Sequence, residues 1–144
     1  MFTFLWFFAK IISSEVSMAN KYFGPDCKTL WKDRKRVFGL PWTFTRYEIV
    51  EKPGEWIKLF SHIGLLSTIS EETYFYRIDD LQVYQSLFDK MFGVGTITVY
   101  CGNASNDTMV LQKIKNPYKV RDMIATLVEK ERREKGMRYS EFQG

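Results

Sequence analysis

From Asn116 onward the chain reads in one way. Pro117 suits the first turn of a helix, Asn116 is a good cap for it, and apolar residues then recur at Val120, Met123, Ile124, Leu127 and Val128. That spacing draws one continuous helical stripe. Arg132, Arg133 and Lys135 fall where positive charge favours the helix dipole, Gly136 supplies a stop, and residues 137–144 read as a loose tail. The preceding stretch, roughly 75 residues, reads as strands. A lone amphipathic helix after such a run has one place to bury its stripe, against a curled sheet.

The strand reading starts at Trp42. Residues Trp42 to Val50 mix aromatic, Thr and β-branched side chains, with alternation at Trp42, Phe44 and, one step out of phase, at Tyr47, Ile49. The slip predicts a bulge or strong bend. Lys52-Pro53-Gly54-Glu55 is a turn, Pro fixing φ and Gly permitting a positive one. Further strands are expected from Trp56 to His62, at Thr68–Ile69, Thr73–Ile78, Leu81–Tyr84, Thr96–Tyr100 and Met109–Ile114, with Gly102–Asp107 closing the last hairpin. Leu87 to Phe92 reads as a short helical turn before Gly93. Twenty-four Phe, Tyr and Trp residues in 144 fit such a sheet-rich chain, whose length suits one domain.

Residues 1–12 carry Phe2, Phe4, Leu5, Trp6, Phe7 and Phe8, then Lys10. The run is too short for a bilayer span, which needs about 20 residues, and it fits a secretory signal poorly, since no positive side chain precedes it and no small-x-small cleavage site follows it. It reads as an apolar helical segment packed on the domain, an oligomerisation patch or an interfacial anchor, and Met18 offers an alternative start. The net charge of +4 is concentrated: Lys28, Lys32, Arg34, Lys35 and Arg36 oppose only Asp33 within nine residues. Such a cluster is a solvated surface stretch or a contact for phosphate groups.

Residues suited to catalysis are few. His62 is the only histidine, and it falls in a strand context without a placed carboxylate or nucleophile. Asp79-Asp80 would point to opposite faces of a strand, and Gly93-Val-Gly95 lacks the third glycine and the lysine of a phosphate-cradling loop. Cys27 and Cys101 match no zinc spacing and read as reduced thiols of a cytoplasmic protein. No enzyme, metal or cofactor is expected.

Several pieces together carry a family likeness. The runs Gly64-Leu65-Leu66, Tyr76-Arg77-Ile78-Asp79-Asp80-Leu81-Gln82-Val83, Gln85-Ser86-Leu87 and Phe92-Gly93-Val94-Gly95-Thr96-Ile97, in that order, resemble bacterial pleckstrin-homology domain proteins, a small family formerly classed as a domain of unknown function. The likeness spans about residues 40 to 135. It implies a mainly β domain, a bent antiparallel barrel of about seven strands capped by the C-terminal helix, and is silent on the N-terminal segment; the chain then divides into an apolar and basic extension over 1–38, the domain over 39–136 and a tail over 137–144. It also implies membrane-spanning neighbours, which this chain lacks, leaving peripheral attachment. Eukaryotic relatives of the fold bind phosphoinositides with bases near the first two strands. Here Arg46, Lys52 and Lys58 are interleaved with Glu48, Glu51 and Glu55, so that activity does not carry over.

The expected function is a non-enzymatic binding module that engages a protein or a second copy of itself. The alternative is peripheral binding to anionic lipid through Phe2, Phe4, Leu5, Trp6, Phe7 and Phe8 with Lys28, Lys32, Arg34, Lys35 and Arg36, placing the chain in the cytoplasm or at the membrane. Nucleic-acid binding, with Trp31 and Trp42 as stacking platforms, ranks last because the basic footprint is small.

Overall fold

Alternating side chains build the two sheets that hold this chain together. The computed structural model describes Leu5 and residues 26–65, 69–102 and 108–143, with side chains as far as 136. The first sheet has the order β1 (Lys28–Arg34), β2 (Arg46–Lys52), β3 (Trp56–Ile63), β4 (Ile69–Tyr74), each antiparallel to its neighbour. A 3-10 turn, Phe75–Arg77, leads into the second sheet, β5 (Ile78–Tyr84), β6 (Val94–Cys101) and β7 (Thr108–Lys115), also antiparallel. A short helix α1 (Leu87–Phe92) joins β5 to β6, and helix α2 (Pro117–Gln143) follows β7. The chain is thus mainly β with a C-terminal helix. Strand pairing among the described residues gives two sheets rather than one closed barrel.

The core lies between those layers. Tyr47, Ile49, Ile57 and Leu59 from the first sheet meet Ile97, Val99, Leu111 and Ile114 from the second, with Phe75 at the junction. Val120, Ile124 and Val128 of α2 complete the cluster, and Met123 and Leu127 pack on its margin. The helical stripe therefore buries where its spacing requires. At 25 cal/mol per Å² of apolar surface, each such side chain contributes about 1.5–3 kcal/mol.

Several boundaries differ from the sequence reading. The slip after Phe44 marks the entry to a strand, since residues 41–45 are loop and β2 begins at Arg46. Ile69 begins one strand, β4, that takes in Thr73, and the rest of the expected Thr73–Ile78 strand is the 3-10 turn and the start of β5; Thr68 and residues 103–107 of the expected hairpin loop lie outside the described residues. Strand β1, in the segment read as an extension, was not anticipated. It is the sheet's edge, half-exposed, and its alternation breaks at a register shift between Thr29 and Trp31. Gly136 does not stop α2, which continues through the segment read as a tail. One glycine costs a packed helix about 1 kcal/mol, too little to end it where helix-forming residues follow. The expected N-terminal helical segment lies outside the described residues, Leu5 excepted, which is exposed.

The 52–55 turn forms as read, with Gly54 at φ 78° and the Glu55 N–H donating to Lys52 O at 3.0 Å. Gly93 caps α1 in the left-handed region at φ 67°. Gly95 is buried in β6, where an added Cβ would stand 2.7 Å from Pro117 Cγ and 2.8 Å from Gln85 Cγ. That contact is what brings the start of α2 tight against the second sheet.

Candidate functional site

One end of the molecule breaks the ordinary rule of burial. In α1, Leu87, Phe88 and Met91 are 79, 72 and 77% exposed, whereas Asp89 is only 4% exposed. The helix carries its apolar side chains outward and its carboxylate inward. Ser86 begins it through a reciprocal capping box: Ser86 Oγ accepts from the Asp89 N–H and the Asp89 carboxylate accepts from the Ser86 N–H, each at 3.1 Å. The other Asp89 oxygen accepts from Lys113 Nζ at 2.5 Å. Burial is the largest influence on Asp89 and pushes its pKa up, but the Lys113 and Ser86 hydrogen bonds together outweigh it and hold the carboxyl below its ordinary value.

Beside α1 stands the loop from β1 to β2. Val37 and Leu40 exchange backbone hydrogen bonds of 2.9 and 3.0 Å, and the two residues between them, Phe38 and Gly39, have φ of 51° and 79°. Two positive φ values in a two-residue turn favour Gly or Asn, so a phenylalanine there is strained by roughly 1–2 kcal/mol. Phe38 is nevertheless 77% exposed and is not a member of the core cluster; its ring meets that of Phe92 edge to face, 6.4 Å between centroids. Among the described residues the non-glycine positions with positive φ are Phe38, Lys113 and Asn116, and all three gather here. The Arg36 N–H donates to Lys113 O at 3.0 Å, and the Asn116 N–H to Gly93 O at 3.1 Å, tying loop, β7 and α1 together. Strain concentrated at an exposed end is a mark of use rather than of packing.

An open cleft of about 330 Å³ adjoins this tip, between β1 and the start of α2. Lys32, Arg36, Lys115 and Lys119 line it against one acid, Asp33, over an apolar floor that includes Trp31 and Met123. Asp33 is already committed: Oδ1 accepts from the Arg34 N–H and from Arg36 Nη2, both at 2.8 Å, and Oδ2 from the Lys115 N–H at 2.9 Å.

The structure thus divides the basic cluster read from sequence. Lys32 and Arg36 meet at the cleft with Lys115 and Lys119; Arg34 and Lys35 are half-buried elsewhere along the chain, and Lys28 sits at the far end of β1, opposite Glu51. Lys115 and Lys119 were missed, though their separation of four residues across a helix start was a usable signal. Phe2, Phe4, Trp6, Phe7 and Phe8 lie outside the described residues. Of Arg46, Lys52 and Lys58, two meet acids, Lys52 to Glu55 at 2.7 Å and Lys58 to Glu72 at 3.3 Å. Lys58 also sits over the Trp56 and Tyr74 rings.

His62 lies on the first sheet, stacked on Phe60, with Nδ1 3.2 Å from Ser70 Oγ. Asp79 pairs with Arg132 at 3.0 Å. Among the described residues no group of three or more His, Cys, Asp or Glu could hold a metal ion, and no helix is long and apolar enough to cross a membrane.

No protein-family model, no curated protein and no solved structure matches this chain.

Proposed function

We propose that this chain is a non-enzymatic binding module of the pleckstrin-homology-like kind, and that it docks peripherally on an anionic membrane surface through α1 and the 37–40 turn. The fold assignment is supported by the arrangement of four strands, then three, then a helix whose stripe joins the core. The observation that carries the docking is the orientation of charge and apolar surface at one end. Leu87, Phe88, Met91 and Phe38 face outward; Asp89 and Asp33 face inward and are bonded; Lys32, Lys90, Lys115 and Lys119 are exposed around them.

Apolar insertion and basic attraction are each weak alone and anchor a protein when combined. Each exposed base near an anionic surface contributes about 1 kcal/mol, an attraction that salt screens. The same charge argues against a second copy as the occupant. A two-fold contact through this end would place each basic cleft beside its copy, and like charges so juxtaposed are costly.

Co-sedimentation with vesicles tests the reading. Binding is expected for vesicles containing phosphatidylserine, to weaken with added salt, and to be absent for phosphatidylcholine alone. The double substitution F88S/M91S removes exposed side chains only, so the unfolding transition should stay in place while vesicle binding falls by at least about tenfold. A wild-type chain that stays in the supernatant at low salt, or that forms a dimer through this end by light scattering, overturns it.

A further inference from the structure

The cleft beside the tip holds more positive charge than its own acid can serve. Asp33 has both oxygens occupied by Arg34, Arg36 and the Lys115 backbone. Among the described residues, Lys32, Lys115 and Lys119 make no ion pair. Arg36 is held by Asp33 through Nη2. A set of converging positive groups repels itself, and an oxyanion carrying about two negative charges relieves that repulsion.

From this convergence of Lys32, Arg36, Lys115 and Lys119 we infer that the cleft is a binding site for a phosphomonoester. A guanidinium fixed by a carboxylate presents its remaining N–H as a directed donor, and lysines on flexible stems close on phosphate as point charges. The four bases come from β1, the loop after it, the end of β7 and the first turn of α2, so the ligand would bridge the two sheets. Trp31, Val120 and Met123 supply an apolar wall, which suits a phosphate attached to an uncharged or apolar group. Arg36 directly precedes the Val37–Leu40 turn, and Asn116, another residue of the cleft, is bonded to Gly93 at the end of α1. The cleft therefore borders the surface proposed above to enter the membrane, and the inference rests on that reading only for the source of the phosphate: a lipid headgroup there, a soluble phosphomonoester otherwise.

Two measurements separate these. Vesicles of phosphatidylcholine with either phosphatidic acid, a phosphomonoester, or phosphatidylserine, a diester, are compared at matched surface charge. In solution, glycerol 3-phosphate is titrated against the full chain and followed by amide chemical shifts. Wild-type protein should prefer phosphatidic acid by about tenfold. K115Q/K119Q, a change confined to exposed side chains, should erase that preference and the shifts of Lys32, Arg36 and Asn116, leaving a weaker, salt-sensitive binding to both vesicles. F88S/M91S should weaken both vesicles alike and leave the glycerol phosphate titration unchanged. Equal binding to the two anionic vesicles together with no shifts at millimolar glycerol phosphate overturns the cleft inference while membrane docking stands. Shifts at the cleft with no vesicle binding overturn membrane docking and leave a site for a soluble phosphomonoester.

Discussion

The two helices of this chain are built from similar residues and face opposite ways. In α2, Val120, Ile124 and Val128 are buried in the core and most of the described charged positions face out, Glu131 excepted, which is buried and paired with Lys135. In α1, Leu87, Phe88 and Met91 face out and Asp89 is buried. Spacing alone fixes that the apolar residues of a helix share a face; it does not fix which side of that face meets the protein. What decides is the company each helix keeps. The stripe of α2 meets two apolar sheet faces, whereas α1 meets Lys113, whose ammonium gives the carboxylate a partner and leaves the apolar side no seat.

That contrast can be broken at graded cost. Ile124→Ala should cost about 2–5 kcal/mol in urea unfolding, since a fully buried side chain leaves a cavity. A loss under 0.5 kcal/mol would mean that α2 is not seated as described. Gly95→Ala, at the point where α2 begins, sets a methyl group against Pro117 and Gln85 and should cost about 1–3 kcal/mol.

For α1 the test is electrostatic. Asp89→Asn weakens the cap and the bond to Lys113, with an expected loss of about 1 kcal/mol at pH 7. The folded carboxyl lies below its unfolded value of about 4, so its contribution is complete above that value and fades as pH falls through the lowered one. The stability difference between wild type and Asp89→Asn should therefore shrink between pH 5 and pH 3, both pH values being approximate. A difference that stays constant over that range would contradict the lowered pKa.

The smallest expected change has an unusual sign. Phe38→Asn relieves a left-handed phenylalanine and should stabilise the fold by up to about 1 kcal/mol while weakening vesicle binding. If stability falls instead, Phe38 serves packing after all and the contrast between the two helices loses its functional meaning.

The amino-acid pattern carried much of this architecture. The stripe from Val120 to Val128 and the paired strands around the 52–55 turn and the β6–β7 hairpin follow from local periodicity, and local periodicity is what a sequence displays. Strand β1 was hidden because Lys28-Thr-Leu-Trp-Lys-Asp-Arg34 is rich in charge and interrupted by its register shift, so its pairing with β2 comes from tertiary contact. The outward direction of α1 depends on Lys113, 24 residues from Asp89, and the cleft on Lys115 meeting Asp33 across 82 residues. No local window contains either relation.

The Asp33 carboxylate has a mechanical consequence. It bonds β1's own end to the last residue of β7 and, with the Arg36 N–H to Lys113 O bond beside it, latches a seam that no ladder of backbone bonds crosses. Loosening that carboxylate would let the end of the first strand part from β7 without melting the interior, and amide exchange at Lys115 should report the parting well before the protons of Val99 or Leu111 are lost.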